Sequence, residues 1–224
     1  GIIPEPVCET QSAIVKENND PKGLGRVRVK FHWMNGSELS PWMRIVHPHA
    51  GGGKGAFFVP EKEEEVIIGF ESDSATKGYV LGTVYHGKAS NGFSNEGNDF
   101  KVIRTRSGHT LEFNDAGNGT HIILKDPGGN EIHLDTVGRN ITITAPETMT
   151  LNCKNMNINV AQNMNTVVGH NKIQSVGMNN SMLVGMNNNM SVAMMNDMAV
   201  GGDNMLLGTG KFMEMIEGDR ISQT

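Results

Sequence analysis

Aromatic side chains are scarce: Phe, Trp and Tyr together make up 5% of the 224 residues. That is little material for a large conventional core, which leans on such rings for buried area. Cysteine is nearly missing. Cys8 and Cys153 stand far apart, and two free thiols are expected rather than a disulfide framework. No apolar run approaches the roughly 18 residues of a membrane-spanning helix. Basic residues are outnumbered, and a net charge of −5 argues against nucleic acid as the main partner. No basic stretch followed by an apolar one opens the chain. Gly1 stands where an initiator Met would, so a processed or truncated chain is expected.

Glycine and methionine are what the sequence has in excess, with 28 and 15 residues. Methionine is concentrated in a repeat of eight, and glycine recurs in it at a fixed position. Val168, Val176, Val184, Val192 and Val200 share one phase, which Ile216 regains after a miss at Gly208. The next position reads Gly169, Gly177, Gly185, Ala193, Gly201. Short fixed periods mark stacked, elongated architectures. Because eight is even, each repeat shows the same residues to the same face of an extended strand. From 176 to 200 the even positions run Val176, Met178, Asn180, Met182, Val184, Met186, Asn188, Met190, Val192, Met194, Asn196, Met198, Val200. The odd positions are mostly small or polar, Leu183 and Met195 excepted. A helix would scatter this stripe around its surface, and the Gly and Asn content disfavours one.

An apolar stripe must be covered. A single chain could wind back on itself as a β-helix, or two further copies could supply the cover. Eight residues extend about 26 Å, short for a full turn around a filled core and suited to a third of one. The trimer is therefore favoured. Its expected core is Val168, Val176, Met178, Met182, Val184, Met186, Met190, Val192, Met194, Met198 and Val200. Winding three chains together also pairs strand edges that would otherwise stay open.

The rest of the chain follows other patterns. Residues 1–86 read as a small five-stranded barrel of the OB type, with strands at 25–33, 41–46, 56–60, 65–70 and 79–85. Residues 87–99, rich in Gly, Ser and Asn, read as a linker. Residues 100–155 form a transition region of short alternating runs: Leu111 with Phe113, Ile122 with Leu124, Ile132 with Leu134, Ile141 with Ile143. The apolar phase shifts parity between Cys153 and Met156, which implies a bulge or loop. Residues 156–224 are the octad spike. The fold class is all-β: an OB barrel followed by an intertwined, triple-stranded β-helix.

Few motifs suggest chemistry. His47 and His49 have no further ligands nearby in sequence and read as a strand-to-loop corner. The glycines from Gly51 to Gly55 around Lys54 lack phosphate-loop spacing and a following helix. Glu61, Glu63, Glu64 and Glu65 read as solvated surface. Ser107, His109 and Asp115 are the residue types of a triad, but nothing else supports a nucleophile. Trp33, Trp42, Phe57 and Phe58 suit either stacking on a ligand or the barrel core. His170 falls in the inward phase and is a weak metal candidate on a three-fold axis. A hydrated polar layer is preferred there, because Lys172 shares the inward phase. No cofactor and no catalysis are expected.

The ordered series Gly25-Arg26-Val27-Arg28-Val29-Lys30-Phe31-His32-Trp33, Pro41-Trp42-Met43-Arg44-Ile45, Gly55-Ala56-Phe57-Phe58-Val59-Pro60 and Gly82-Thr83-Val84-Tyr85 resembles the C-terminal half of VgrG proteins. So do residues 104–115 and the Val-Gly octads. VgrG is the spike of bacterial type VI secretion, similar to the central spike of contractile phage tails. The resemblance implies a trimeric puncturing needle, assembled on a baseplate in the bacterial cytoplasm and ejected toward a target cell. It implies a PAAR-repeat tip protein at the C-terminal end, with Met213, Glu214, Met215, Ile216, Glu217, Gly218 and Asp219 as the cap-bearing residues. It also implies carried effectors, transient contact with a target membrane, and a Hcp tube beneath an N-terminal base expected to be missing here. The alternatives are a phage-like tail spike, or an OB-type ligand-binding module on a trimeric stalk.

Overall fold

Alternation on a strand buries every second side chain, and β1 (Gln11–Glu17) does this with Ala13 and Val15. In the computed structural model, which describes residues 7–218, β1 is the hub of a five-stranded sheet. It pairs antiparallel with β2 (Arg28–Phe31) on one side and with β6 (Glu65–Phe70) on the other. β6 pairs antiparallel with β7 (Gly78–Thr83), which pairs in parallel with the short β3 (Arg44–Ile45). The order is β2-β1-β6-β7-β3. Val27 and Met43, just ahead of β2 and β3, exchange backbone hydrogen bonds and join the two outer strands. The sheet therefore closes into a five-stranded barrel.

The register aligns the core. Ala13 stands opposite both Phe31 and Val66, and Val15 opposite Val29. With Val27, Met43, Ile68 and Val80 they form one buried cluster. Burying a side chain of this size contributes about 1.5–3 kcal/mol. Phe31 stacks on Phe70 inside and on Trp33 outside, at centroid distances of 6.3 and 5.4 Å.

Two sequence expectations change here. Residues 56–60 are not a strand. The pairing lies just before them, where β4 (Ala50–Gly51) and β5 (Lys54–Gly55) form a small hairpin in the glycine-rich stretch expected to be a loop. Gly55 ends that hairpin at φ +127°, where an added Cβ would strike the His49 carbonyl. Phe57 and Phe58 then point outward and are exposed. β1 itself carried no strand expectation.

A second sheet follows residues 87–99, where Asn91 and Asn95 side chains accept backbone N–H bonds in tight turns. It is an antiparallel meander of five equal strands: β8 (Phe100–Arg104), β9 (Thr110–Asn114), β10 (His121–Lys125), β11 (Glu131–Asp135) and β12 (Asn140–Thr144). The short alternating runs of residues 100–155 are these strands. Their turns are fastened by Asp126, which accepts from the Asn130 amide, and Asp135, which accepts from Gly138. These bonds hold both carboxyls below their usual range: the Asn130 side chain and backbone at Asp126, and the Gly138 amide foremost at Asp135.

Contacts divide the chain into two units, residues 1–154 and 155–224. The second unit has no strand among its described residues. Its backbone bends at 161–162, 169–170, 177–178, 185–186, 193–194, 201–202, 209–210 and 217–218. Six straight residues separate each pair of bends. The period is eight throughout, including where the valine phase lapses at Gly208.

Candidate assembly surface

The meander has two chemically different faces. Its register lays Ile103 beside Leu111, Leu111 beside Leu124, and Leu124 beside Ile132, which pairs with Ile143. A parallel row runs Phe113, Ile122, Leu134, Ile141. Nine large apolar side chains thus share one face, and all except Leu111 are classed as exposed. The only charged side chain at a strand position on this face is Lys101, turned aside to Asp115 at 2.8 Å. The opposite face is mixed: it carries Glu112, Asn114, His121, Lys125, Glu131, His133 and Asp135 together with Phe100, Val102 and Ile123. Period-2 patterning separates the faces.

In the second unit the exposure of each phase repeats. Val160, Val168, Val176, Val184, Val192 and Val200 are 46–49% exposed except Val184 at 43%, and Ile216 matches them at 48%. Met178, Met186 and Met194 sit on the bends and are 92–98% exposed, while Met182, Met190 and Met198 lie in the straight runs at 71–73%. Val160 extends the valine column one repeat earlier than the sequence reading placed it. Each Gly of the Val-Gly pair opens a bend, and His170 takes the second bend position, in phase with Met178. Met213, Glu214, Met215, Ile216, Glu217 and Gly218 are exposed, and Gly218 closes a bend. Asp219 lies outside the described residues.

The remaining candidates disperse. Ser107 and His109 share the β8–β9 turn, whereas Asp115 lies beyond the far end of β9, about 17 Å along the strand, and pairs with Lys101. His47 leans on the Phe57 ring at 6.2 Å, and His49 uses its carbonyl to close the β4–β5 hairpin. Glu63 pairs with Lys16 at 2.6 Å, and Glu61 with Arg106 of the β8–β9 turn at 2.9 Å. Trp33 is exposed and donates to Gln11 Oε1 at 2.8 Å, while Arg26 lies 6.0 Å from the Trp42 ring centroid.

Asp20 is the strongest electrostatic feature of the barrel. Its carboxylate accepts from the Arg26 guanidinium at 2.7 and 2.8 Å and from the amides of Lys22, Leu24 and Arg26. The Arg26 guanidinium foremost, then those amides, hold its carboxyl well below the usual carboxylate range. Every lone pair is used within the loop, so Asp20 fixes the 18–26 turn rather than offering a binding group. An open groove of about 550 Å³ beside it is lined by Asn18, Asn19, Phe57, Val59, Glu61 and Arg106 among others.

Residues 11–85, the closed barrel, match the family of type VI secretion system/phage-baseplate injector OB domains. A stretch of 66 residues is 36% identical to the type VI secretion system spike protein VgrG4b of Pseudomonas aeruginosa (strain PAO1). The stretch makes up 28% of this chain and 8% of that relative, so the likeness covers a small part of the longer protein. The fold is all-β and its barrel is an injector OB domain. Over residues 11–85 the chain is of the type VI secretion/phage-baseplate injector class, and over 66 residues it is similar to a spike protein of the VgrG type.

Proposed function

We propose that three copies of this chain wind into a puncturing needle for a contractile injection apparatus of the type VI class. The bend every eight residues, in a segment that forms no strand among its described residues, carries this reading. A six-residue straight run with no partner leaves its N–H and C=O groups to water, and its half-exposed valine column to solvent. Two further copies supply both a ladder and a cover, with each bend serving as a corner of a three-sided shaft. The nine-residue apolar face of the second sheet likewise calls for cover by other copies. Stiffness follows because bending such a shaft strains many ladder bonds together.

The work is mechanical, without catalysis: the needle is driven through a target membrane. The tip segment Met213–Gly218 with Asp219 receives a PAAR-repeat cap. Effectors ride on the assembly, a Hcp tube meets its base, and the site of action is outside the producing cell. Among the described residues no helix is long and apolar enough to cross a membrane. A phage-like tail spike would use the same shaft, since the family of the barrel spans both machines.

Light scattering coupled to size exclusion, with small-angle X-ray scattering on the same sample, tests the proposal. An elongated particle of three times the 24.3 kDa chain mass is expected. A folded monomer that buries its own valine column overturns it.

A further inference from the structure

Three times in this chain a glycine follows an asparagine: Asn35–Gly36, Asn91–Gly92 and Asn118–Gly119. Such a pair is chemically labile, because the glycine nitrogen reaches the asparagine Cγ with no side chain in its way. Local structure decides whether it does. At Asn118 the nitrogen is occupied: the Gly119 amide donates to the Ala116 carbonyl at 2.9 Å and closes a turn. At Asn91 the carboxamide is occupied. Its Oδ1 accepts from the amides of Phe93 and Ser94 at 2.7 and 2.9 Å, and its Nδ2 donates to Ser94 Oγ at 2.8 Å. Asn91 is also half-buried. That side-chain turn must break before Cγ can swing back to the Gly92 nitrogen.

Asn35 stands in the β2–β3 loop, outside any strand, and both it and Gly36 are exposed. Among the described residues, neither kind of bond is made by the Asn35 side chain or the Gly36 amide. Gly36 is at φ +71°, and a Cβ placed on it would meet nothing within 4 Å. Lys30 Nζ donates to the Gly36 carbonyl at 2.7 Å, but that atom lies across the Gly36 Cα from the nitrogen that attacks. We propose that Asn35 is a deamidation site, with water as its co-reactant. The Gly36 nitrogen gives up its proton and bonds to Asn35 Cγ. The Cγ–Nδ2 bond breaks, Nδ2 takes up a proton and ammonia leaves, so a cyclic imide remains. Water then opens either carbonyl of the imide. The products are aspartate and isoaspartate, in which the chain runs through the former side-chain carbon. One water is consumed and one ammonia released, with no oxidation or reduction. Each event adds a negative charge to a chain already at −5. Isoaspartate also lengthens the backbone of the loop that leads from β2 to β3. The site is complete within one chain and stands apart from the needle.

Incubation of the full folded chain in oxygen-labelled water, then digestion in ordinary water and mass spectrometry of the peptides, tests the site. Label should enter residue 35 at least about tenfold faster than residue 91 or 118, the factor set by one or two hydrogen bonds that must first break. In urea the three pairs should take up label at similar rates, since folding alone distinguishes them. Asn35→Gln keeps an amide but needs a larger ring, so it should abolish uptake at that position and leave the other two unchanged. Labelled peptides should contain isoaspartate beside aspartate, the mark of the cyclic imide. No uptake at residue 35 in the folded chain, equal or faster uptake at 91 or 118, the same ranking in urea, or aspartate as the sole product would each overturn the proposal. None of these outcomes bears on the mass measurement that tests the needle.

Discussion

Val27 donates its amide to the Met43 carbonyl at 3.0 Å, and Met43 donates back to Val27 at 2.8 Å. This single reciprocal pair turns a five-stranded sheet into a barrel, because it joins the two strands that would otherwise be edges. Both side chains are buried, so the closure is apolar as well as hydrogen-bonded. An open edge at either strand would invite pairing with other chains.

The barrel core should respond to truncation as a packed interior does. Ile68 is fully buried on β6, and Ile68→Ala should destabilise the fold by about 2–5 kcal/mol. Leu81→Ala, at an exposed position of β7, should change stability by less than about 0.5 kcal/mol. Urea titration followed by tryptophan fluorescence separates the two.

Asp20 gives the barrel an acid limb of stability. Its carboxyl is held low by Arg26 and three amides, so the folded state binds the proton more weakly than the unfolded chain. The contribution is complete above the ordinary carboxylate range of about pH 4. It is lost as pH falls from there through the depressed folded value. Melting temperatures from pH 2 to 7 should fall on the acid side. Asp20→Asn should lower the neutral-pH value and flatten that slope.

Placing a charge in the valine column should prevent assembly. Val184→Asp sets three carboxylates in the shared seam and should yield a species of one-third the particle mass by light scattering. Asn187→Asp, on the odd-numbered side of the same repeat, should leave the mass unchanged.

The bend period sets which deletions are tolerated. Removing residues 177–184 deletes one whole repeat and keeps every bend and valine in phase, so trimer mass should persist with a shorter particle. Removing residues 177–180 keeps strand parity but moves all later bends by half a repeat, and assembly should fail. Scattering lengths and masses decide both cases.

How legible each part was depended on whether its pattern was local. Val29 and Phe31 alternate along β2, continuing from Val27 just ahead of it, as Val66 and Ile68 do along β6, and both strands could be read directly. β1 was missed because only Ala13 and Val15 are buried on it, between a polar start and a Lys16–Glu17 end. Residues 56–60 read as a strand because Phe57, Phe58 and Val59 are apolar in succession. Gly55 and Pro60 confine that stretch to a loop, and its phenylalanine rings face solvent. The octads were plain because an even period preserves the face. The meander's apolar face was half visible, since each run could be found but the alignment of rows needed the register.

The straight runs between bends have a last consequence for a newly made copy. Proteases grip their substrates as backbone drawn out of any ladder, and among the described residues 155–218 form no strand. On the proposed assembly, a copy without companions should be cut in this segment sooner than an assembled one.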